Sequence, residues 1–132
     1  MSFELHPRLA ADTAFVGDWP LCRVLLMNDA RYPWLVLVPR RAAAVEMVDL
    51  SAPDRAVLIE EIARASEILR QLPCVTKLNV GALGNVVQQL HVHIVGRHPG
   101  DPAWPGPVWG HSPALPYDPE SRDRLIAAVR SR

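Results

Sequence analysis

The chain has 132 residues, 49% hydrophobic and 21% charged, with fourteen basic side chains against fourteen acidic ones. This length suits one domain with its own core, expected over residues 1–132, and is too short for two of ordinary size. The composition excludes a disordered or supercharged chain, and the even balance leaves no global field to gather a nucleic acid polymer or an anionic membrane. No run approaches the roughly 20 apolar residues of a membrane helix. Met1 opens into Ser2-Phe3-Glu4 without the basic and apolar regions of a signal peptide, so the expectation is a cytoplasmic protein with no membrane partner. Cys22 and Cys74 are too few for a disulfide framework and lack zinc-knuckle spacing. They are expected to be two buried thiols in a reducing compartment.

In chain order, Pro7 followed by Leu9, Ala10 and Ala11 predicts a short helix within Leu5 to Asp12. Ala14-Phe15-Val16 reads as a strand, Gly17-Asp18 as a turn, and Cys22 to Met27 as a second strand. Leu35-Val36-Leu37-Val38, bounded by Pro33 and Pro39, is the continuous apolar run of a strand buried on both faces. Ser51 with Asp54 three residues on resembles a capping box, and Pro53 and Pro73 bracket a helix over about Ala52 to Leu72. Its apolar stripe is Leu58, Ile62, Ala65, Leu69 and Leu72. Arg55, Glu60, Glu61, Arg64, Glu67 and Arg70 fall largely on the solvated side, where Glu60 and Arg64 are spaced for an i,i+4 pair.

Thr76 to Leu83 is predicted as a strand, Gly84-Asn85 as a turn, and Val86 to Arg97 as the most regular strand of the chain. Thirteen prolines, seven of them between Pro99 and Pro119, make 98–117 an irregular Pro/Trp-rich arm. Trp104 and Trp109 favour an ordered arm. Asp118-Pro119-Glu120 caps a closing helix to about Val129.

In Gln89-Leu90-His91-Val92-His93-Ile94-Val95, period-2 geometry sends Gln89, His91, His93 and Val95 to one face and the aliphatic residues to the other. Imidazoles two residues apart on a strand lie about 6.5–7 Å apart along it, so one can attack a phosphoryl group while the other donates to it. A neutral imidazole is a competent nucleophile when its second nitrogen is held by an acceptor, for which a backbone carbonyl is the simplest candidate. Two satisfied structural histidines fit the same spacing. So does a metal site, which would need further ligands from His98, His111 or Asp101.

The surrounding order is informative. Asn79-Val80-Gly81 leads through Gly84-Asn85 into Gln89-φ-His91-φ-His93-φ-φ. Upstream stand Leu25-Leu26-Met27-Asn28 and Leu35-Val36-Leu37-Val38-Pro39-Arg40-Arg41. Over about Arg23 to Arg97 this set resembles the histidine triad (HIT) family of nucleotide-binding hydrolases and transferases, with Gln89 in place of the first triad histidine.

The resemblance implies an α+β fold, a mainly antiparallel sheet of about five strands with one long helix packed on it and a short C-terminal helix. It implies a homodimer and no cofactor. The substrate it implies is a nucleotide conjugate, a dinucleoside polyphosphate or nucleoside phosphoramidate, cleaved at the α-phosphate. His91 would be the nucleophile that carries the nucleotidyl group, and His93 would donate to a phosphate oxygen. Gln89 would occupy the position of leaving-group protonation without being able to shuttle a proton near neutral pH. Asn79 and Asn85 would donate to phosphate, and Asn28 would face the ribose where relatives commonly carry Asp. Gln89 and Asn28 also motivate a rival, a nucleotide-binding module that is slow or inactive in turnover. Arg40, Arg41 and Arg97 at strand ends fit either phosphate contacts or solvated charges. Trp34, Trp104 and Trp109 fit base stacking, core filling or a dimer contact, and His6, His98 and His111 read as surface or turn histidines.

Overall fold

The computed structural model describes residues 2–132. Strands β1 (Thr13–Asp18), β2 (Cys22–Met27), β3 (Trp34–Pro39), β4 (Lys77–Gly81) and β5 (Val92–Arg97) form one sheet in the order β1-β2-β3-β5-β4. Every neighbouring pair is antiparallel. Helix α1 spans Pro7–Asp12, α2 Ala52–Arg70 and α3 Pro119–Arg130. This is the α+β architecture that the resemblance implies.

Gly17 and Asp18 do not turn the chain. They belong to β1, where the register against β2 shifts between Phe15 and Gly17, and the bulge absorbs the extra residue. The reversal falls just after, closed by the Trp19 amide donating to the Cys22 carbonyl at 2.8 Å.

α2 begins at Ser51, whose hydroxyl accepts from the Asp54 amide at 3.2 Å. The Asp54 carboxylate does not reach back to complete a capping box, because it accepts from Arg41 at 2.7 Å. Leu58, Ile62, Ala65, Ile68 and Leu69 bury against Leu35, Leu37, Val92 and Ile94 in the larger core. Glu61 departs from the expected solvated face. It is buried, and its carboxylate accepts from the amides of Leu21 and Cys22 at 3.0 and 2.8 Å, supplying acceptors that buried amides require. The Glu60–Arg64 pair does not form among the described residues; Arg64 instead lies over the Trp19 ring at 4.1 Å. Cys22 is buried and Cys74 is exposed, so the expectation of two buried thiols fails for Cys74. It sits in the reversal after α2 with φ of 71°.

The last two strands are shorter than the apolar pattern predicts, and no tight hairpin joins them. Gly81 pairs with His93, and Leu37 of β3 pairs with Val92. Residues ahead of Val92 therefore have no ladder partner on either side. Valines 86 and 87 favour extended backbone, but strand propensity without a neighbour to bond does not make a strand. The Leu90 amide is satisfied by the Ala44 carbonyl at 2.9 Å, and residues 82–91 form a loop.

The sheet face opposite α2 is covered by the 98–117 arm, so β5 is buried on both sides. Tyr32, Trp34, Val36, Val38, Val95, Ala103 and Val108 make a second core there. The arm is tied down along its length. Arg97 binds Asp101, the Ala30 amide donates to the Leu115 carbonyl at 2.6 Å, and the Tyr117 amide donates to Asn28 Oδ1 at 2.9 Å. It ends at Asp118, whose carboxylate caps α3 through the Ser121 amide at 3.0 Å. No helix among the described residues is long and apolar enough to cross a membrane.

Candidate active site

His91 stands one residue before β5 and His93 is the second residue within it. The alternation survives although the strand starts late. Leu90, Val92 and Ile94 enter the core beneath α2, while Val95 joins the opposite cluster. The two buried imidazoles lie 4.9 Å apart between ring centroids.

His91 Nδ1 is 2.7 Å from the Gln89 carbonyl oxygen. A carbonyl can only accept, so Nδ1 carries a proton, and in the neutral ring Nε2 then keeps the lone pair. Trp34 Nε1–H donates to His93 Nδ1 at 3.0 Å. Burial, reinforced by the neighbouring His91, pushes the His93 pKa down to about 4, so this ring is neutral at neutral pH. Both histidines border a cavity of about 370 Å³ with Trp34, Trp109, Asn85 and Arg31. His91 and Gln89 also border a second cavity of about 390 Å³, walled by Met47, Val48 and Leu83 with Glu46 alongside.

The remaining sequence candidates separate. The Gln89 side chain does not join the imidazoles: Oε1 accepts from the His6 amide at 2.9 Å and Nε2 donates to the Glu4 carbonyl at 2.8 Å. Asn85 is at the cavity. Asn28 and Asn79 are outside its lining, with Asn28 Oδ1 accepting from Tyr117 and Asn79 Oδ1 accepting from Arg97 at 2.7 Å. Arg97 is neither solvated nor free for phosphate. It is buried in a two-pronged pair with Asp101 at 2.7 and 2.9 Å. Arg40 donates to the Trp19 carbonyl at 2.6 Å and Arg41 to Asp54, both away from the histidines.

His6 caps α1, its Nδ1 accepting from the Arg8 amide at 3.0 Å. His98 and His111 bond locally to Pro99 and Ser112. No group of three or more His, Cys, Asp or Glu side chains is gathered for a metal among the described residues. Sequence reasoning missed the bond from Trp34 to His93. The sequence alone carries no signal for it, because the bond follows from the β3–β5 register, in which Val36 pairs with His93 and period 2 puts Trp34 on the same face, one step along.

An antiparallel five-stranded sheet with one long helix, carrying paired imidazoles at the start of an inner strand, defines a histidine triad protein. The HIT domain model matches residues 8–100, and the chain belongs to this family. A histidine triad protein from Bradyrhizobium japonicum is 49% identical, with 99% of this chain and 98% of that one covered at a TM-score of 0.96. One from Marinobacter aquaeolei VT8 is 46% identical over 99% and 96% of the two chains at a TM-score of 0.96. Another, from Sinorhizobium meliloti 1021, is 43% identical over 98% and 96% at 0.95. None of the curated proteins matches the chain. Family membership supports a nucleotide-binding or hydrolase-type function.

Proposed function

We propose that the chain is a hydrolase or nucleotidyl transferase acting at the α-phosphate of a nucleotide conjugate, a dinucleoside polyphosphate or nucleoside phosphoramidate, through a covalent nucleotidyl group on His91. The observation that carries this reading is the 2.7 Å contact from His91 Nδ1 to the Gln89 carbonyl, which leaves the Nε2 lone pair for attack. As the P–N bond forms, the bond from phosphorus to the leaving oxygen or nitrogen breaks and its electron pair departs with the leaving group. The Nδ1 proton stays on the ring, whose positive charge the carbonyl stabilises. Water then attacks phosphorus, the P–N pair returns to Nε2, and the surplus proton passes to solvent with release of mononucleotide.

His93 donates to a non-bridging oxygen and stabilises the charge that develops there. Asn85 provides a further donor at the cavity. His91 borders both cavities, so nucleotide and leaving group can lie on separate sides of phosphorus. Asn79 Oδ1 accepts from Arg97 and Asn28 Oδ1 from Tyr117, so in this reading the contacts expected of these residues with phosphate and ribose fall to their Nδ2 donors. The arm and the sheet act as one unit over 1–132.

The commitment of the Gln89 carboxamide to His6 and Glu4 favours the second reading, a nucleotide-binding module, because no acid stands at that position. In the enzyme reading the leaving group takes its proton from solvent.

Incubation with adenosine and guanosine conjugates separates the two. The enzyme reading expects mononucleotide release and, in acid-free mass spectra, a nucleotidyl adduct on His91, both lost in His91→Ala. Binding with no release from any conjugate overturns it. The homodimer is also proposed, with β4 at the open sheet edge and Val80 half exposed on it. Sedimentation at micromolar concentration should give twice the chain mass, and a monomer there rejects it.

A further inference from the structure

We propose that Trp34 is a positioning residue that locks His93 as its Nε2–H tautomer, so that the two imidazoles of one site are held with their protons on opposite nitrogens. An indole N–H has no lone pair to offer and can only donate. With Trp34 Nε1 at 3.0 Å from His93 Nδ1, Nδ1 must accept, and the single proton of the neutral ring is on Nε2. His91 is fixed in the reverse sense by the Gln89 carbonyl. Two adjacent rings that are chemically identical are thus assigned different tasks, one presenting a lone pair and the other a donor, before any ligand arrives.

The lock is rigid because its donor is. Trp34 is buried in β3, and Val36, two residues on, pairs with His93. The Trp34 ring meets Tyr32 and Trp109 edge-on at 6.4 and 6.3 Å, and Trp109 flanks His93 at 5.6 Å. The alternative tautomer would set two N–H groups against each other across 3.0 Å, and so would protonation of His93 at Nδ1. The other titratable groups at this cavity are His91 and two ion pairs, Arg8–Asp12 at 3.7 Å and Arg31–Asp29 at 2.9 Å.

What the lock does for turnover rests on the reading that His93 donates to a phosphate oxygen. A ring free to carry its proton on Nδ1 would turn a lone pair toward that oxygen and repel it.

Side-chain nitrogen NMR of the histidines tests the lock without a substrate. Wild-type protein is expected to show His93 with a protonated Nε2 and a pyridine-like Nδ1, and His91 with the reverse pattern. In Trp34→Phe, which keeps an aromatic ring and removes the donor, His93 should populate both tautomers and take up its second proton at higher pH. With a cleaved conjugate, kcat should fall about tenfold with KM nearly unchanged, as for an interaction felt mainly in the transition state. Tyr32→Phe, which perturbs the same aromatic cluster without touching His93, should leave the nitrogen pattern and pH profile as in wild type.

A wild-type His93 carrying its proton on Nδ1 overturns the proposal, and so does a Trp34→Phe protein with unchanged tautomer and titration. Should Trp34→Phe fail to fold, the wild-type nitrogen signals decide alone. If wild-type protein releases no nucleotide, the catalytic reading above falls while the same signals still judge the lock.

Discussion

Arg97→Ala is expected to remove about 3–5 kcal/mol of folding stability, the usual loss when one partner of a buried ion pair is deleted. The reason is what remains behind. Arg97 donates to both Asp101 oxygens, to Asn79 Oδ1 and to the Gly106 carbonyl, all within 2.9 Å. The guanidinium holds the Asp101 carboxyl below the usual carboxylate range, helped by amides from His98 and Trp104. Without it a buried carboxylate, an amide oxygen and a carbonyl lose their donor together. Asp101 is also the first anchor of the arm that carries Trp109 to His93, so the same variant should blunt turnover. Urea unfolding at neutral pH measures the loss. Arg97→Met combined with Asp101→Leu should recover a large part of it, because no orphaned charge is left. A single-variant loss below about 1 kcal/mol would class the pair with surface ion pairs and reject the argument.

Acid should weaken the fold well above the range where carboxylates titrate. In the unfolded chain His93 takes a proton near its ordinary value of 6.5, whereas in the folded protein burial and His91 hold it at about 4. Between those values the unfolded state binds a proton that the folded state refuses. Stability therefore falls as pH drops through this window, by about 3 kcal/mol in all, and is unaffected by this group above neutrality.

The depressed carboxyls of Asp18, Asp29, Asp49, Asp101 and Asp118 work in a lower range. Their contribution is present above their ordinary 3.8 and is lost only below it. Urea midpoints at several pH values between 7 and 4.5 should slope downward in wild type and flatten in His93→Gln, which cannot take up the proton. Equal slopes in the two proteins would show that His93 is not responsible.

Much of this was legible in the sequence, for reasons that can be assigned residue by residue. The apolar run of β3, the period-2 alternation through His91 and His93, and the Ser51 and Asp118 caps are local signals, and local geometry honoured them. What escaped notice depended on partners distant in sequence. β5 loses its first six predicted residues because β3 and β4 do not extend to meet them, which no propensity at Val86 or Val87 encodes. Glu61 lies in a helix whose other acidic residues face water, and only the approach of the Leu21 and Cys22 amides makes its burial possible. Arg97 looks like any charge at a strand end until the arm folds back and brings Asp101 and Gly106 to it. Asn28 and Asn79 fit the motif, yet their oxygens are taken by Tyr117 and Arg97, and nothing near either residue in the chain announces this.

Position 89 divides its labour between two kinds of atoms. Its carboxamide braces the leading segment through Glu4 and His6, while its carbonyl governs where the neighbouring imidazole keeps its proton. Mutagenesis exchanges only the former. A scan of substitutions at this site would register a loosened N-terminus and pass over the oxygen that every replacement still supplies.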